Sequence, residues 1–181
     1  MKKKPMNNKS IAPLSDTWEQ RKLEDLMTLG NGCDYKNLES GNIPVYGTGG
    51  YMTSVNKSLC DQDSIGIGRK GTINKPYLLK APFWTVDTLF FATPKHNCDL
   101  NYLYGLFQTI NWSDLDESTG VPSLSKTNIN GVIVSAPKSM KEQKCIGQTF
   151  SALDNLLTLH QRKQTDTAQP FYFTSVRILT S

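Results

Sequence analysis

The chain has 181 residues, of which 38% are hydrophobic, and a formal net charge of +4. This length suits one domain with an appendage, and the composition predicts a modest hydrophobic core. No apolar run approaches the roughly 18 residues that a membrane-spanning helix needs. The basic start, residues 1–9, is not followed by the apolar stretch of a secretory signal. The charge permits an anionic partner without requiring one.

The four cysteines are widely spaced, at Cys33, Cys60, Cys98 and Cys145. They include no C-x-x-C pair, the spacing that commonly gathers thiolates around zinc. We therefore predict free thiols in a reducing cytoplasm, with no metal site and no cofactor.

The folded part is predicted to begin near Trp18. Residues 1–16 are polar and basic without a period, and we interpret them as a flexible arm. After Trp18, the spacing of Leu23, Leu26 and Leu29 fits either a short helix or a strand, and both remain open.

Three strands are predicted in the next part of the chain. Residues 43–46 form a short strand that ends at a glycine-rich turn, and residues 64–68 alternate branched and small side chains. Residues 83–92 are dense in β-branched and aromatic residues, which predicts one long strand. Asp87 falls inside this strand, where we expect it to bond to Thr85, Thr88 or backbone, because a buried unpaired charge is costly.

Helical signals follow. Asp99 is placed to cap an amphipathic helix over residues 99–112, and residues 125–129 predict one helical turn. A last strand is predicted at 131–135. We therefore expect a mixed α/β globular domain over residues 17–138, with short strands and loops longer than usual. Such loops are where binding residues usually lie.

A helix is predicted over residues 139–164. Ser139 and Glu142 have the S-x-x-E spacing of a capping box. An apolar stripe with alternating spacings of four and three then predicts a surface for another helix, and its members are Ile146, Phe150, Leu153, Leu157 and His160. The stripe covers only about two heptads. Residues 165–181 lack a helical period and are predicted to be a poorly ordered tail.

Catalytic motifs are lacking in the sequence. Its two histidines, His96 and His160, are not part of a nucleophile or metal motif, and no G-x-S-x-G, H-E-x-x-H or paired-carboxylate pattern occurs. Two glycine-rich segments, 47–50 and 66–72, resemble phosphate loops only in composition. Neither has the spacing of a P-loop, and Pro76 prevents a helix from starting soon after Gly71.

The same segments fit nucleic acid better. Glycines allow a backbone to approach phosphate closely, arginine reads guanine, and asparagine reads adenine. The candidate DNA contacts are Gly47, Thr48, Gly49, Gly50, Arg69, Lys70, Thr72, Asn74, Lys75, Ser123 and Lys126. From these residues alone, an ordinary solvated hairpin remains an equal interpretation.

Three segments in order resemble a known family. They are WEQRKL at 18–23, TGVPSLSKTNI at 119–129, and the helix from EQ at 142–143 to HQRK at 160–163. Together they resemble the specificity subunit of type I restriction-modification enzymes over about residues 16–164. The segment 67–71 also fits this family.

The resemblance implies a non-enzymatic protein that reads double-stranded DNA. A full subunit of the family has two domain-plus-helix copies, each domain reading half of a bipartite target while the helices set the spacing. This chain carries one copy, so a half-length form is implied, which could restore a two-part site only by pairing with a second copy. Implied partners are a modification (methyltransferase) subunit and, through it, a restriction subunit. The alternative is a truncated interaction protein that docks on modification subunits without forming an active specificity subunit.

Overall fold

A computed structural model of the chain describes residues 18–167, with side chains described as far as residue 161. The predicted arm at 1–16 and the predicted tail from residue 168 onward lie outside the described residues. The elements, in chain order, are β1 Trp18–Lys22, α1 Leu23–Leu26, β2 Met27–Asn31, β3 Ser40–Gly47, β4 Gly50–Val55, β5 Ser64–Gly68, β6 Tyr77–Leu79, β7 Trp84–Thr85, β8 Leu89–Pro94, α2 Leu100–Thr109, α3 Lys126–Gly131, β9 Ile133–Pro137 and α4 Met140–Thr167. Within this part of the chain, no helix is long and apolar enough to cross a membrane.

The central sheet has four antiparallel strands in the order β2-β8-β5-β6. Strand β5, one of its two inner strands, is the predicted strand of branched and small residues, and all five of its residues are buried. The register places Ile65 opposite Ala92 and Ile67 opposite Phe90. The main hydrophobic core contains these strand residues and the inner face of α2, including Leu103 and Phe107. The mixed α/β class predicted from the sequence is confirmed.

A second, three-stranded sheet has the order β4-β3-β7. Strands β3 and β4 form a hairpin whose tip is Thr48–Gly49, while β7 runs parallel to β3. A smaller apolar cluster of Val45, Val55 and Val86 lies under this sheet. The predicted strand at 43–46 and its glycine-rich turn are both present.

Two terminal strands close the domain. Strand β1 pairs with β9 in an antiparallel ladder from Trp18↔Pro137 to Lys22↔Ile133. The segment after Trp18, for which a short helix and a strand were both left open, contains a strand, one helical turn and a second strand. Gly131 belongs to the end of α3, so the last strand begins at Ile133, two residues later than predicted.

The predicted cap at Asp99 is present, and Ser125 forms a second cap that the sequence prediction did not name. The Asp99 carboxylate accepts hydrogen bonds from the backbone N–H groups of Asn101 and Tyr102, at 3.0 and 3.1 Å. The Ser125 hydroxyl accepts one from the backbone of Asn128 at 3.1 Å. Each side chain thereby satisfies N–H groups that a helix start leaves unpaired.

The predicted long strand at 83–92 is wrong. It is divided into β7 and β8, because β7 belongs to the second sheet and β8 to the central one. The chain crosses between the sheets in a tight turn closed by the Leu89 N–H and the Val86 carbonyl at 2.9 Å. Asp87 is exposed in this turn, and the Thr85 hydroxyl it was expected to contact has no hydrogen-bond partner within residues 18–161.

The start of α4 also differs from the capping-box prediction. The Glu142 carboxylate accepts a hydrogen bond from Trp18 Nε1 at 2.9 Å. It therefore ties the helix to β1 instead of closing back on Ser139. The helix continues to Thr167, three residues beyond the predicted end at 164.

Candidate nucleic-acid interface

Several strand ends meet around the turn at residues 86–88. The parallel pairing of β3 with β7 brings the hairpin tip to this turn, where the Val86 N–H donates to the Tyr46 carbonyl at 3.0 Å. The end of β5 arrives from the other side, and Arg69 and Lys70 donate backbone N–H bonds to the Thr88 carbonyl at 2.8 and 3.3 Å. Distant segments of the sequence therefore share one surface.

A second segment crosses the loop after β5. The Leu124 N–H donates to the Arg69 carbonyl at 2.9 Å, and the Gly71 N–H donates to the Pro122 carbonyl at 2.8 Å. Gly71 has a φ of +86°, which a glycine adopts without the strain that a side chain would cause. The surface where these segments meet is called the basic edge below. It comprises Asn31 and residues 47–50, 69–72, 86–88 and 122–126.

The basic edge contains an open hollow of about 530 Å³. Four predicted DNA contacts line it together: Arg69, Lys70, Ser123 and Lys126. The other lining residues are Asn31, Phe90, Leu124 and Ser125, so the lining has three cationic side chains and no carboxylate.

The cationic side chains of the hollow are available to a ligand. Arg69, Lys70 and Lys126 are exposed, and the ion pairs within residues 18–161 do not include them. The Arg69 guanidinium lies 5.7 Å from the centre of the Phe90 ring, within the range of a cation–π contact. Because Phe90 is only 3% exposed, it is a fixed support for a long and otherwise mobile side chain.

The far wall of the hollow is fixed by hydrogen bonds from the preceding loop. Asp116 accepts the backbone N–H groups of Ser123 and Ser118, each at 2.9 Å. These bonds favour the ionised form, so the pKa of the Asp116 carboxyl is below its usual value. Glu117 accepts hydrogen bonds from the Ser125 hydroxyl at 3.3 Å and the Asn128 amide at 2.6 Å. The wall is therefore positioned before any ligand arrives.

The hairpin tip is a rigid neighbour of the hollow. The Tyr77 hydroxyl donates to the Gly47 carbonyl at 2.6 Å, and burial raises the pKa of Tyr77. Tyr46 contacts both Tyr51 and Tyr77, with ring centres 6.3 and 6.2 Å apart. Gly50 has a φ of +106°, so the tip requires glycine there.

Helix α4 is joined to the domain by a buried glutamine. Gln143 is 2% exposed, and its carbonyl oxygen accepts the backbone N–H of Asp99 at 3.0 Å. Its amide nitrogen donates to the carbonyls of Asn97 and Pro137 at 3.3 and 3.0 Å. One turn later, Gly147 lies against the start of α2, where a side chain would not fit. We call Gln143 and Gly147 the joint, since they fix the helix to the strands and to α2.

The comparisons with known proteins agree with this architecture. The family model of the type I restriction modification DNA specificity domain matches residues 15–167. The chain belongs to this family. Comparison with curated protein sequences gives no significant match.

Solved structures share the fold of this specificity domain at low sequence identity. The type I restriction-modification S subunit from M. genitalium matches with a TM-score of 0.66 and 18% identity, over 82% of this chain and 43% of that one. A chain from a type I restriction-modification system studied for its assembly and conformational transition matches with a TM-score of 0.70 and 13% identity. The match covers 88% of this chain and 44% of that one. The HsdS subunit from Thermoanaerobacter tengcongensis matches with a TM-score of 0.64 and 14% identity, over 86% of this chain and 42% of that one. The chain therefore spans less than half of each of these chains.

The remaining predicted contacts of the specificity domain lie outside the lining of the hollow. Thr72 is exposed in the loop that carries Arg69 and Lys70. Asn74 and Lys75 are exposed farther along, where the Gln108 side chain holds the Pro76 carbonyl at 3.1 Å. The sequence prediction also missed Asn31, Phe90 and Ser125. Asn31 and Phe90 come close to Arg69 only through the pairing of strands that are distant in the sequence.

The predicted stripe on α4 divides into two parts. Ile146 is partly buried against the main core, whereas the outer members become progressively exposed along the helix. Phe150, Leu153 and Leu157 are 49%, 50% and 61% exposed, and His160 is also exposed. Two further leucines outside the predicted stripe, Leu156 and Leu159, are 63% and 57% exposed. The first turns of α4 thus belong to the specificity domain, and its later turns present apolar surface.

Proposed function

We propose that this chain binds double-stranded DNA sequence-specifically through the basic edge. It would act as the non-catalytic specificity component of a type I restriction-modification complex in the cytoplasm, directing partner methyltransferase and restriction subunits. The observation that carries the proposal is the hollow itself. Four residues chosen from the sequence as DNA contacts converge there, in a domain of the specificity family. Among the described residues, the lining has three cations that form no ion pair, and it has no carboxylate.

The side chains of the hollow suit different parts of a DNA duplex. Arg69 is supported by Phe90 and can offer two donors to a guanine edge, while Asn31 has the donor and acceptor that adenine requires. Lys70 and Lys126 carry charge without a planar fork, which suits phosphate contacts. We assign base reading to Arg69 and Asn31 and backbone contacts to the two lysines.

The test first selects the sequence that the wild-type full chain prefers from a pool of random 30-base-pair duplexes. The affinities of wild type, Arg69→Ala and Lys70→Ala are then measured for the selected sequence and for the unselected pool. Arg69→Ala should cost about 1–3 kcal/mol on the selected sequence and relax the preference at one position. Lys70→Ala should weaken binding to all sequences alike and reduce the salt slope by about one.

Lys57→Ala is the matched control, because Lys57 is exposed beyond the end of β4 that is opposite the hairpin tip. It removes one positive charge far from the basic edge and should leave affinity nearly unchanged. Equal affinity of wild type, Arg69→Ala and Lys70→Ala for every duplex would contradict the proposed interface.

A second candidate function rests on the outer part of α4. Leu153, Leu156, Leu157 and Leu159 are each at least half exposed, which is uncommon for four leucines on one short stretch. They suit docking on a modification subunit or on a second copy of this chain, and docking without DNA binding would make the chain an interaction protein only. Co-purification with a modification subunit should be lost in Leu153→Ser/Leu157→Ser and kept in Gln148→Ser. Co-purification of a wild type that binds no DNA would favour this second function.

A further inference from the structure

Asp87 is an acidic residue at the centre of the basic edge. It is one of the two central residues of the turn that β7 and β8 form between the two sheets, and it is exposed. Its neighbour Thr88 binds the backbone of Arg69 and Lys70 through its carbonyl. Asp87 also lines a second hollow with Lys36 and Met52, on the hairpin side of the turn. It therefore lies between the hairpin tip and the basic hollow.

No structural role within residues 18–161 accounts for the carboxylate. The turn is closed by backbone groups of Val86 and Leu89 and does not need the side chain. The hydrogen bonds and ion pairs found there do not include the Asp87 carboxylate, although Lys36 lines the same hollow. Asp34 in that hollow differs, because its carboxylate accepts the Lys36 backbone N–H at 3.0 Å and so stabilises its own loop.

A free carboxylate on a DNA-binding surface has a cost. It repels phosphate and so weakens binding to every sequence. A carboxylate can however accept a hydrogen bond from the exocyclic amino group that cytosine presents in the major groove. The adjoining N7 acceptor of adenine would repel it, which favours cytosine over adenine.

We propose that Asp87 is a specificity-determining residue that accepts a hydrogen bond from the N4 amino group of a cytosine in the target. This inference rests on the proposed function. Because Thr88 joins the turn directly to the Arg69 backbone, Asp87 and Arg69 project from adjacent chain segments. On this assignment the two side chains contact different base pairs of one target.

The test uses the full chain and the same pool of random 30-base-pair duplexes. Asp87→Ala should bind the unselected pool about two- to fivefold more tightly at low salt, since a repulsive charge is removed. It should also lose about tenfold or more of the discrimination at one cytosine of the sequence that wild type selects. Asp87→Asn should shift the preference at that position towards adenine, because an amide offers both a donor and an acceptor.

Asp61→Ala is the charge-matched control. Asp61 is exposed before the start of β5, whereas the basic edge lies beyond the end of that strand. The control should keep the wild-type preference. A thermal melt should show Asp87→Ala and Asp87→Asn folded like wild type, because the Asp87 carboxylate makes no stabilising contact within the described residues.

The outcomes separate this inference from the proposed function. If wild type selects a sequence and Asp87→Ala selects the same one with the same discrimination, Asp87 has no specificity role while DNA recognition stands. If wild type selects no sequence and binds the pool no better than Arg69→Ala, both the proposed function and the role of Asp87 are wrong. Loss of preference at a cytosine, together with tighter binding to the unselected pool, supports the assignment.

Discussion

Replacing Gly147 with alanine should weaken the attachment of α4 to the domain. A Cβ atom at this position would lie 2.6 Å from the backbone nitrogen of Tyr102 and 2.9 Å from two atoms of Asn101. Real Cβ atoms do not approach backbone nitrogen so closely, and the backbone of a helix start cannot rotate away as a side chain can. The two helices must therefore move apart at the joint.

The magnitude follows from two opposing effects. Overfilling a well-packed site costs about 1–3 kcal/mol, and the backbone contact places Gly147→Ala in the upper half of that range. Alanine is favoured over glycine inside a helix by about 1 kcal/mol, which offsets part of the cost. We expect a net loss of about 1–2 kcal/mol in the free energy of unfolding.

Gly105→Ala is the matched control on the facing helix. Its Cβ would lie 3.4 Å from the Phe150 ring, which is ordinary contact with a side chain that is half exposed. This variant should be as stable as wild type or up to about 1 kcal/mol more stable. Urea unfolding followed by circular dichroism measures both. The reasoning is refuted if Gly147→Ala is as stable as wild type, or if the two variants change stability in the same direction.

Two further predictions concern titrating groups. Burial raises the pKa of the Cys98 thiol to about 12, and the neighbouring Asp99 carboxylate adds a smaller effect. Because the thiolate is the reactive form, iodoacetamide at pH 8 should modify Cys98 at least about a hundredfold more slowly than the exposed Cys145. Mass spectrometry of timed samples measures this, and equal rates would contradict the burial. The hydrogen bond from Lys80 lowers the pKa of the Asp63 carboxyl below 3.8, so its small stabilisation is present above that pH and is lost as the pH falls further. Wild type should therefore lose more urea resistance than Asp63→Asn between pH 7 and pH 3, and identical losses would exclude the ion pair.

Features that depend on neighbouring residues could be predicted from the sequence. Asp99 satisfies N–H groups two and three residues away, so its sequence position is sufficient to identify it as a cap. The alternation in β5 is likewise local, because each of its side chains meets one of two covered faces of the sheet. The joint was not recognisable in the same way. Gln143 bonds to Asn97 and Pro137, and only the finished fold brings these groups together.

The long apolar segment at 83–92 shows why the candidate site was only partly predictable. Its composition is that of a buried strand except at Asp87, and this one polar residue does not indicate that β7 and β8 belong to different sheets. The break at residues 86–88 is what brings the hairpin tip and the Arg69 loop to the same surface, since each bonds to one side of that turn. A continuous strand would have buried Asp87 and separated these loops. The error in the strand prediction and the omission of Asp87 from the candidate site therefore have one physical cause, which is the crossing of the chain between two sheets.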